Sequence, residues 1–225
     1  MICLDFYGLP GSGKSTISHL VAEKLREDLH VKEVSYDIDH GCSKWIRGLI
    51  KFKELIIIMV AHPCIFMKLI KVIADFHCIW NNKFYRNLLN LAFKVRALQH
   101  TDFDIVIFDQ GLWQSVTSLK YGCCEDVDII SAYKKICSLI NRNVYVLNVY
   151  IKVDVKIAER RLLSRESGRA RVEKLNDDER LVELELEANI FDQYPQHHII
   201  ADGHMEKDTC CDYLIKQMHE IIYCS

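Results

Sequence analysis

The sequence predicts an α/β fold in which short strands alternate with helices around a mainly parallel sheet. Three observations support this class: five short runs rich in apolar and β-branched residues, helical periodicity between most of them, and a 50% apolar content in 225 residues. That length and content suit one domain with a buried core. The runs lie at 2–7, 31–36, 104–109, 143–151 and 197–201. Strands that alternate with helices form βαβ units, which make parallel sheets.

The first run, ICLDFY, leads directly into GLPGSGKS, which fits the pattern G-x-x-x-x-G-K-[ST]. Glycine allows such a loop to curl and aim its N–H groups at a phosphate, and the helix that follows adds the positive end of its dipole. Lys14 then provides a charge for the β- and γ-phosphates, and the Ser15 hydroxyl can bind Mg²⁺. An ordinary glycine-rich turn is the alternative, and the strand before and amphipathic helix after the loop disfavour it. The predicted phosphate-binding residues are Gly8, Gly11, Ser12, Gly13, Lys14, Ser15 and Thr16.

The second run, VKEVSY, is expected to be a strand that ends at Asp37 and Asp39. Ligands of open α/β sheets lie at the carboxyl ends of strands, so either carboxylate could accept a proton from an acceptor hydroxyl. A helix N-cap or Asx turn is an equally good interpretation. Asp37 is the better catalytic candidate because it lies nearer the end of the strand.

Residues 41–101 contain no convincing strand and predict a helical insertion, broken near His62-Pro63 and near Asn81-Asn82. Its most apolar stretch, LIIIMVA at 55–61, is too short for a spanning helix, which needs roughly 20 apolar residues. We expect a buried helix there rather than an exposed apolar groove. The insertion should shape an acceptor pocket, and its basic residues could hold an acceptor phosphate: Lys44, Arg47, Lys51, Arg86 and Arg96.

The third run, DIVIFD, ends at Asp109. Four apolar residues followed by an acid are typical of a strand whose carboxylate holds the metal of a nucleotide. The alternative is a strand-end Asp that caps the next helix.

Five arginines lie among residues 160–171, RRLLSRESGRAR. Arg161 and Arg165 are four residues apart, which places them on one helix face. Arg169 and Arg171 follow the helix-breaking Ser167-Gly168 on a loop. Guanidinium groups can stabilise the charge of a phosphoryl group in transfer. A solvated basic helix end is the alternative, and the phosphate loop disfavours it.

The overall charge is close to neutral, with 29 basic and 31 acidic residues. This balance gives no indication of a nucleic-acid or membrane partner. Ten cysteines include no C-x-x-C pair, and no signal peptide is recognisable, so we expect a cytoplasmic protein with free thiols. The sequence leaves the oligomeric state open, a homodimer included.

Taken together, the motifs GLPGSGKST, VIFDQGLWQS, AERRLLSRESGRARVE and HHIIADGHMEKDTCCDYLIKQMHEII resemble those of P-loop nucleotide kinases, most nearly the thymidylate-kinase-like branch. The likeness extends over most of the chain. It implies the three-layer P-loop NTPase fold, with five parallel strands and helices on both faces. It also implies a single domain over 1–225, with the helical insertion at 41–101 between strands 2 and 3 and an arginine-rich lid at 165–177.

The resemblance further implies that Lys14, Ser15 and Asp109 serve ATP and Mg²⁺. Arg161, Arg165 and one of Arg169 or Arg171 would belong to the lid and its base. Asp202 and Gly203, after the last strand, would lie beside the adenine. The implied activity is transfer of the γ-phosphoryl group of ATP to a small acceptor, which could be a nucleoside, a nucleotide or another hydroxyl compound. A nucleotide-dependent switch, or slow NTPase that regulates a partner, is the alternative.

Three departures from the thymidylate-kinase pattern concern the acceptor side. Leu9-Pro10 stands where an acid is usual, Gln110 where an arginine is usual, and residues 37–41 where an Arg-Glu-Pro-Gly-Gly run is usual. Gln cannot provide the charge and bidentate fork of Arg. The departures predict an acceptor other than thymidylate.

Overall fold

The computed structural model contains one five-stranded sheet in the order β2-β3-β1-β4-β5, with every neighbouring pair parallel. The structure describes residues 1–76, 82–99, 102–120, 128–164, 171–193 and 198–224, apart from the side chains at 37, 39, 40, 171, 198 and 222–224. The strands are β1 (Ile2–Tyr7), β2 (Val31–Glu33), β3 (Ile105–Phe108), β4 (Tyr145–Lys152) and β5 (His198–Asp202). The predicted five-stranded parallel sheet is confirmed.

Helices connect the strands and cover both faces of the sheet, as predicted. They are α1 (Lys14–Leu25), α2 (Val34–Gly41), α3 (Lys44–Ala61), α4 (Pro63–Ala74), α5 (Asn82–Ala97), α6 (Leu112–Thr117), α7 (Ile129–Cys137), α8 (Val155–Leu163), α9 (Asp177–Asp192) and α10 (Lys207–Cys224). Short 3₁₀ helices lie at Ser118–Lys120 and Arg171–Lys174.

Successive residues of β1 point to opposite faces of the sheet and enter two separate cores. Leu4 and Phe6 pack with α1 and α10, whereas Cys3 and Tyr7 pack with α5, α6 and α7. Since both faces are covered, β3 is buried throughout as the apolar run IVIF.

The second strand is shorter than predicted. It pairs with β3 through only three residues, and α2 begins at Val34. Residues of α1 and its C-cap contact the junction between β2 and α2. Glu33 lies 3.0 Å from His19 Nδ1 and 2.9 Å from Arg26 Nη2, and the Tyr36 ring stacks on His19 with centroids 3.9 Å apart. The prediction that Asp37 follows a strand end is therefore wrong, because Asp37 lies within α2.

Helices α3, α4 and α5 occupy most of residues 41–101, with α3 and α4 separated at His62. Residues 77–81, around the second predicted break, lie outside the described part of the chain. The expectation of a buried helix at 55–61 is wrong: Ile58 is the only buried residue that α3 contributes. Among the described residues, no single helix is long and apolar enough to span a membrane. Helices α3 and α4 together meet both conditions, but they are bent by 119° relative to each other.

Candidate active site

The phosphate loop curls between β1 and α1 in the way that its glycines allow. Gly11 has φ of 89° and Gly13 has φ of 93°, a region that side chains disfavour. A Cβ on Gly11 would lie 2.2 Å from the Ala158 carbonyl oxygen of α8, so the loop also packs tightly against that helix. Inside the loop, Ser12 N donates to the Leu9 carbonyl at 3.0 Å.

Lys14 and Ser15 begin α1 at the point where the loop ends. The Lys14 side chain is buried, and its Nζ donates to the Leu9 carbonyl at 3.1 Å. Ser15 Oγ donates to Asp109 Oδ2 at 2.9 Å. This contact forms because β1 and β3 are parallel neighbours, so the residues that follow them meet at one edge of the sheet.

The Ser15 and Asp109 oxygens suit Mg²⁺. Asp109 Oδ1 is buried and accepts no hydrogen bond from any described residue. Mg²⁺ prefers oxygen ligands, and it is usually held by one or two protein groups together with water and substrate phosphates. No cluster of three or more His, Cys, Asp or Glu side chains that could hold a metal occurs among the described residues.

A cavity of about 560 Å³ lies on one side of the phosphate loop. Its walls include Gly11, Ser12, Gly13, Thr16, Arg161 and Gly203. Arg161 Nη1 donates to the Gly203 carbonyl at 2.8 Å, and Gly203 N donates to the Lys152 carbonyl at 2.7 Å. The structure thus brings the predicted loop, one predicted arginine and the segment after β5 around one cavity, which we call the donor cavity.

Of the other predicted donor residues, Asp202 is described and is not part of this wall. Asp202 is exposed, and its Oδ1 accepts a hydrogen bond from His204 N at 2.8 Å. Helix α8 ends at Leu163, and Arg165 and Arg169 lie outside the described residues, as does the Arg171 side chain. The domain and lid boundaries at 41–101 and 165–177 stay predictions.

Arg180 anchors the described end of the predicted lid and was missed from the sequence. Its buried guanidinium donates to the carbonyls of Val172 and Leu175 at 3.2 and 2.7 Å, and lies 3.4 Å from Glu159 of α8. A single arginine within the acidic helix DDERLVELELE was the available signal, because a buried charge needs partners.

A second cavity, of about 220 Å³, has Asp109 in its wall, and we call it the acceptor cavity. Five helices and the loop after β3 supply its walls: Ser35 and Ile38 (α2), Lys51 (α3), Asn90 and Lys94 (α5), Gln114 (α6), Glu187 (α9), and Asp109 with Gln110. Asp109 therefore borders this cavity while it contacts the loop that lines the other one.

Polar groups within the acceptor cavity are mostly held by neighbours. Lys94 Nζ donates to the Gln110 carbonyl, to the Gly111 carbonyl at 3.1 Å and to the Ser115 hydroxyl. Lys51 Nζ donates to Asn90 Oδ1 at 2.8 Å. Gln114 Oε1 is buried and accepts no hydrogen bond from any described residue, so it can receive one from a ligand.

A buried carboxylate, Asp5, lies beneath the loop that follows Asp109. Asp5 Oδ2 accepts a hydrogen bond from Trp113 N at 3.0 Å, and a Cβ on Gly111 would overlap its carboxylate. Burial raises the pKa of Asp5 from 3.8 to about 6, although the Trp113 N–H and Lys94 oppose the shift. Asp5 and Lys94 together hold the backbone after Asp109. An acid inside the otherwise buried ICLDFY strand was the sequence signal for this group.

Comparison with solved structures supports the same architecture. Deoxyadenosine kinase from M. mycoides, with products dCMP and dCDP bound, has a TM-score of 0.52 and 18% identity over 98% of this chain and 100% of that chain. The same enzyme with dATP gives 0.53 and 14%, over 97% and 100%. Shikimate kinase from Bacteroides thetaiotaomicron gives 0.52 and 14%, over 99% and 98%.

No protein-family model and no curated protein sequence matches the chain. At these identities the structural similarity concerns the fold. The chain has the fold of these P-loop kinases, as the resemblance of its motifs implies.

Proposed function

We propose that this protein is a small-molecule kinase that transfers the γ-phosphoryl group of ATP to a hydroxyl group of a nucleoside-like acceptor. The observation that carries the proposal is the Ser15–Asp109 contact, which joins the loop of the donor cavity to a carboxylate of the acceptor cavity. A protein that only hydrolyses or binds ATP needs no second cavity at this point. The bound nucleotides of the deoxyadenosine kinase are consistent with such an acceptor.

The acceptor cavity favours a hydroxyl over a phosphate. No arginine is among its described wall residues, and Gln110 stands where thymidylate kinases have one. Lys94 and Lys51 already donate to protein oxygens. Phosphate recognition usually relies on cations with available donors, which these lysines do not offer as placed. The proposed likeness to thymidylate kinases therefore concerns the ATP-binding side of the site only.

In the proposed reaction, the acceptor oxygen forms a bond to the γ-phosphorus while the bond from that phosphorus to the β,γ-bridging oxygen breaks, and ADP leaves. Lys14 places its charge on the β- and γ-phosphates, and Arg161 lines the donor cavity while it donates to the Gly203 carbonyl. Ser15 and Asp109 would hold Mg²⁺, which neutralises charge on the phosphate oxygens when bound. The remaining predicted lid arginines, Arg165 and Arg169 or Arg171, would stabilise the transferred group.

The hydroxyl proton passes to a carboxylate at the acceptor cavity. Asp37 is the base that the sequence predicts, and its neighbours Ser35 and Ile38 in α2 line the cavity. Glu187 is the competing base, since its side chain is buried at the same wall. If Asp37 is the base, Asp37→Asn lowers kcat about 10²–10⁴-fold and Glu187→Gln mainly changes the acceptor KM. The reverse result would transfer the role to Glu187.

The test is ATP turnover with and without a panel of nucleosides, nucleotides, and free and phosphorylated sugars. We expect one class of hydroxyl acceptor to stimulate ADP formation with matching phosphorylated product. Asp109→Asn should abolish that stimulation, whereas Asp212→Asn, at an exposed surface pair with Lys24, should not. ATP consumption that no acceptor raises would contradict the kinase proposal and favour the switch or slow NTPase.

The proposal includes a cytoplasmic location. The structure describes six cysteines as free thiols: Cys3, Cys42, Cys64, Cys137, Cys210 and Cys211. Free thiols are typical of reducing compartments, where ATP is also available.

A further inference from the structure

Helix α3 presents an apolar stripe to the outside of the molecule. The stripe consists of Trp45, Leu49, Phe52, Ile56 and Met59, which recur every three or four residues and so share one helix face. Trp45 is 86% exposed and Leu49 is 66% exposed. Of fifteen exposed large apolar side chains in the described part of the chain, seven belong to α3. Such clustering distinguishes a binding surface from scattered apolar residues.

The inward face of the same helix holds both apolar and polar residues. Ile58 is buried and Leu55 packs against the core. On the same face, Glu54 lies 3.6 Å from Arg96 of α5, and Lys51 donates to Asn90 of α5. A surface helix of a globular protein normally has one apolar stripe, which packs against the core. The second, outward stripe of α3 indicates a surface that contacts an external apolar partner.

Helices α3 and α4 carry an excess of basic residues. They contain six, of which Lys51 faces α5, and a single acid, Glu54, which also faces α5. Lys53 adjoins the stripe and is exposed, as are Lys68 and Lys71 of α4. The near-neutral balance of the whole chain, which predicts no membrane partner, averages over this local excess of basic residues.

We propose that α3 docks in the surface of a membrane that contains anionic lipid. The stripe would enter the boundary between headgroups and acyl chains, with the neighbouring lysines at the lipid phosphates. Long lysine stems can follow an apolar surface while their amines stay at the headgroups. This docking is independent of the proposed kinase activity.

Charge and side-chain chemistry favour this occupant over two others. A two-fold contact with a second copy brings the same patch against itself, so basic side chains would meet with no acid on α3 or α4 available to pair across the interface. Single-stranded nucleic acid stacks successive bases on aromatic side chains, whereas the two aromatic residues of the stripe, Trp45 and Phe52, alternate with aliphatic ones and stand seven residues apart.

The experiment is co-sedimentation of the full chain with vesicles of phosphatidylcholine, alone or mixed with phosphatidylserine, at low and high salt. We expect binding only to the mixed vesicles, weakened by salt. Replacing Leu49 and Phe52 together by Ser should lower the affinity more than about tenfold. Lys53→Gln and Lys71→Gln should each lower it about fivefold.

The matched control is the double variant Val182→Ser/Leu186→Ser, which removes two exposed apolar side chains from one face of α9. It should bind as the unchanged protein does, and circular dichroism with thermal unfolding should confirm the fold of every variant. Absence of vesicle binding, or binding that the α3 changes leave intact, would overturn the proposal. The proposal would also be overturned if sedimentation showed a dimer that Phe52→Ser dissociates. Binding of single-stranded nucleic acid through α3, in place of vesicles, would overturn it as well.

Discussion

The Ser15–Asp109 hydrogen bond links the donor and acceptor sides, yet the chain builds the two cavities differently. Two short segments, residues 11–17 and 203–208, supply every described residue of the donor wall except Arg161. The acceptor cavity takes side chains from α2, α3, α5, α6 and α9, together with Asp109, Gln110 and Ser118. Most of the donor wall therefore comes from two contiguous motifs, whereas the acceptor wall depends on how distant helices pack.

The largest expected effect tests the donor side at Lys14. Lys14→Ala removes the charge placed for the β- and γ-phosphates, so acceptor-dependent turnover should fall about 10²–10³-fold. Lys24→Ala is the control on the same helix, because Lys24 is part of an exposed pair with Asp212. Steady-state kinetics of both variants provide the measurement. If the Lys14→Ala and Lys24→Ala variants were equally active, Lys14 would have no role in the proposed transfer.

Two glycine-to-alanine substitutions, one in the phosphate loop and one in α3, should change the free energy of unfolding in opposite directions. Gly11→Ala forces a side chain into the left-handed region and against the Ala158 carbonyl, which should cost about 3 kcal/mol or more in the free energy of unfolding. Gly48→Ala, within α3 and with open space around it, should instead stabilise by about 0.5–1 kcal/mol. Urea unfolding measures both. A tolerated Gly11→Ala would mean that the loop and α8 are not packed as described.

The pH dependence of the free energy of unfolding should reveal the titration of the buried Asp5. Because its pKa is raised in the folded state, the stability that Asp5 contributes is fully present below pH 3.8 and is lost as the pH rises through about 6. Asn stays neutral and keeps an oxygen for the Trp113 N–H. Asp5→Asn should therefore be more stable than the unchanged protein at pH 8, by at most roughly 3 kcal/mol.

Urea unfolding at pH 5 and pH 8 provides that comparison. The stability difference between the two proteins should shrink at pH 5. A difference that does not change with pH would show that Asp5 does not titrate in this range.

The smallest expected effect separates the two cavities kinetically. Lys51→Ala removes one wall of the acceptor cavity and its contact with Asn90, so the KM for the acceptor should rise about tenfold. The KM for ATP should stay the same, because Lys51 is not in the donor wall. Parallel changes in both constants would contradict the division into two cavities.

The sequence predicts the donor side well, because a strand, a glycine loop and a helix are contiguous and each residue type has one physical role there. It also predicts the position of Asp109 at the end of an apolar strand. It fails at β2, where VKEVSY has the composition of a strand but only VKE pairs with β3, and Glu33 and Tyr36 contact α1 instead. Such contacts join residues distant in sequence, and no local pattern reports them.

The apolar stretch at 55–61 shows a second limit. Periodicity identifies the helix but not which of its apolar residues become buried, and here Leu55 and Ile58 pack inward while Ile56, Met59 and Val60 are exposed. Lys94, Gln114 and Glu187 were missed for a related reason: each is an ordinary helix residue until packing brings it to the acceptor cavity.

The contacts of His19 affect the relative positions of the two substrates. Helix α1 begins with Lys14, and one turn later His19 touches Glu33 and stacks on Tyr36, at the start of α2. The same helix therefore carries the end of the loop for one substrate and contacts a wall of the cavity for the other. We expect a displacement of α1 to move Lys14 and the start of α2 together, so that these two parts of the site keep their spacing.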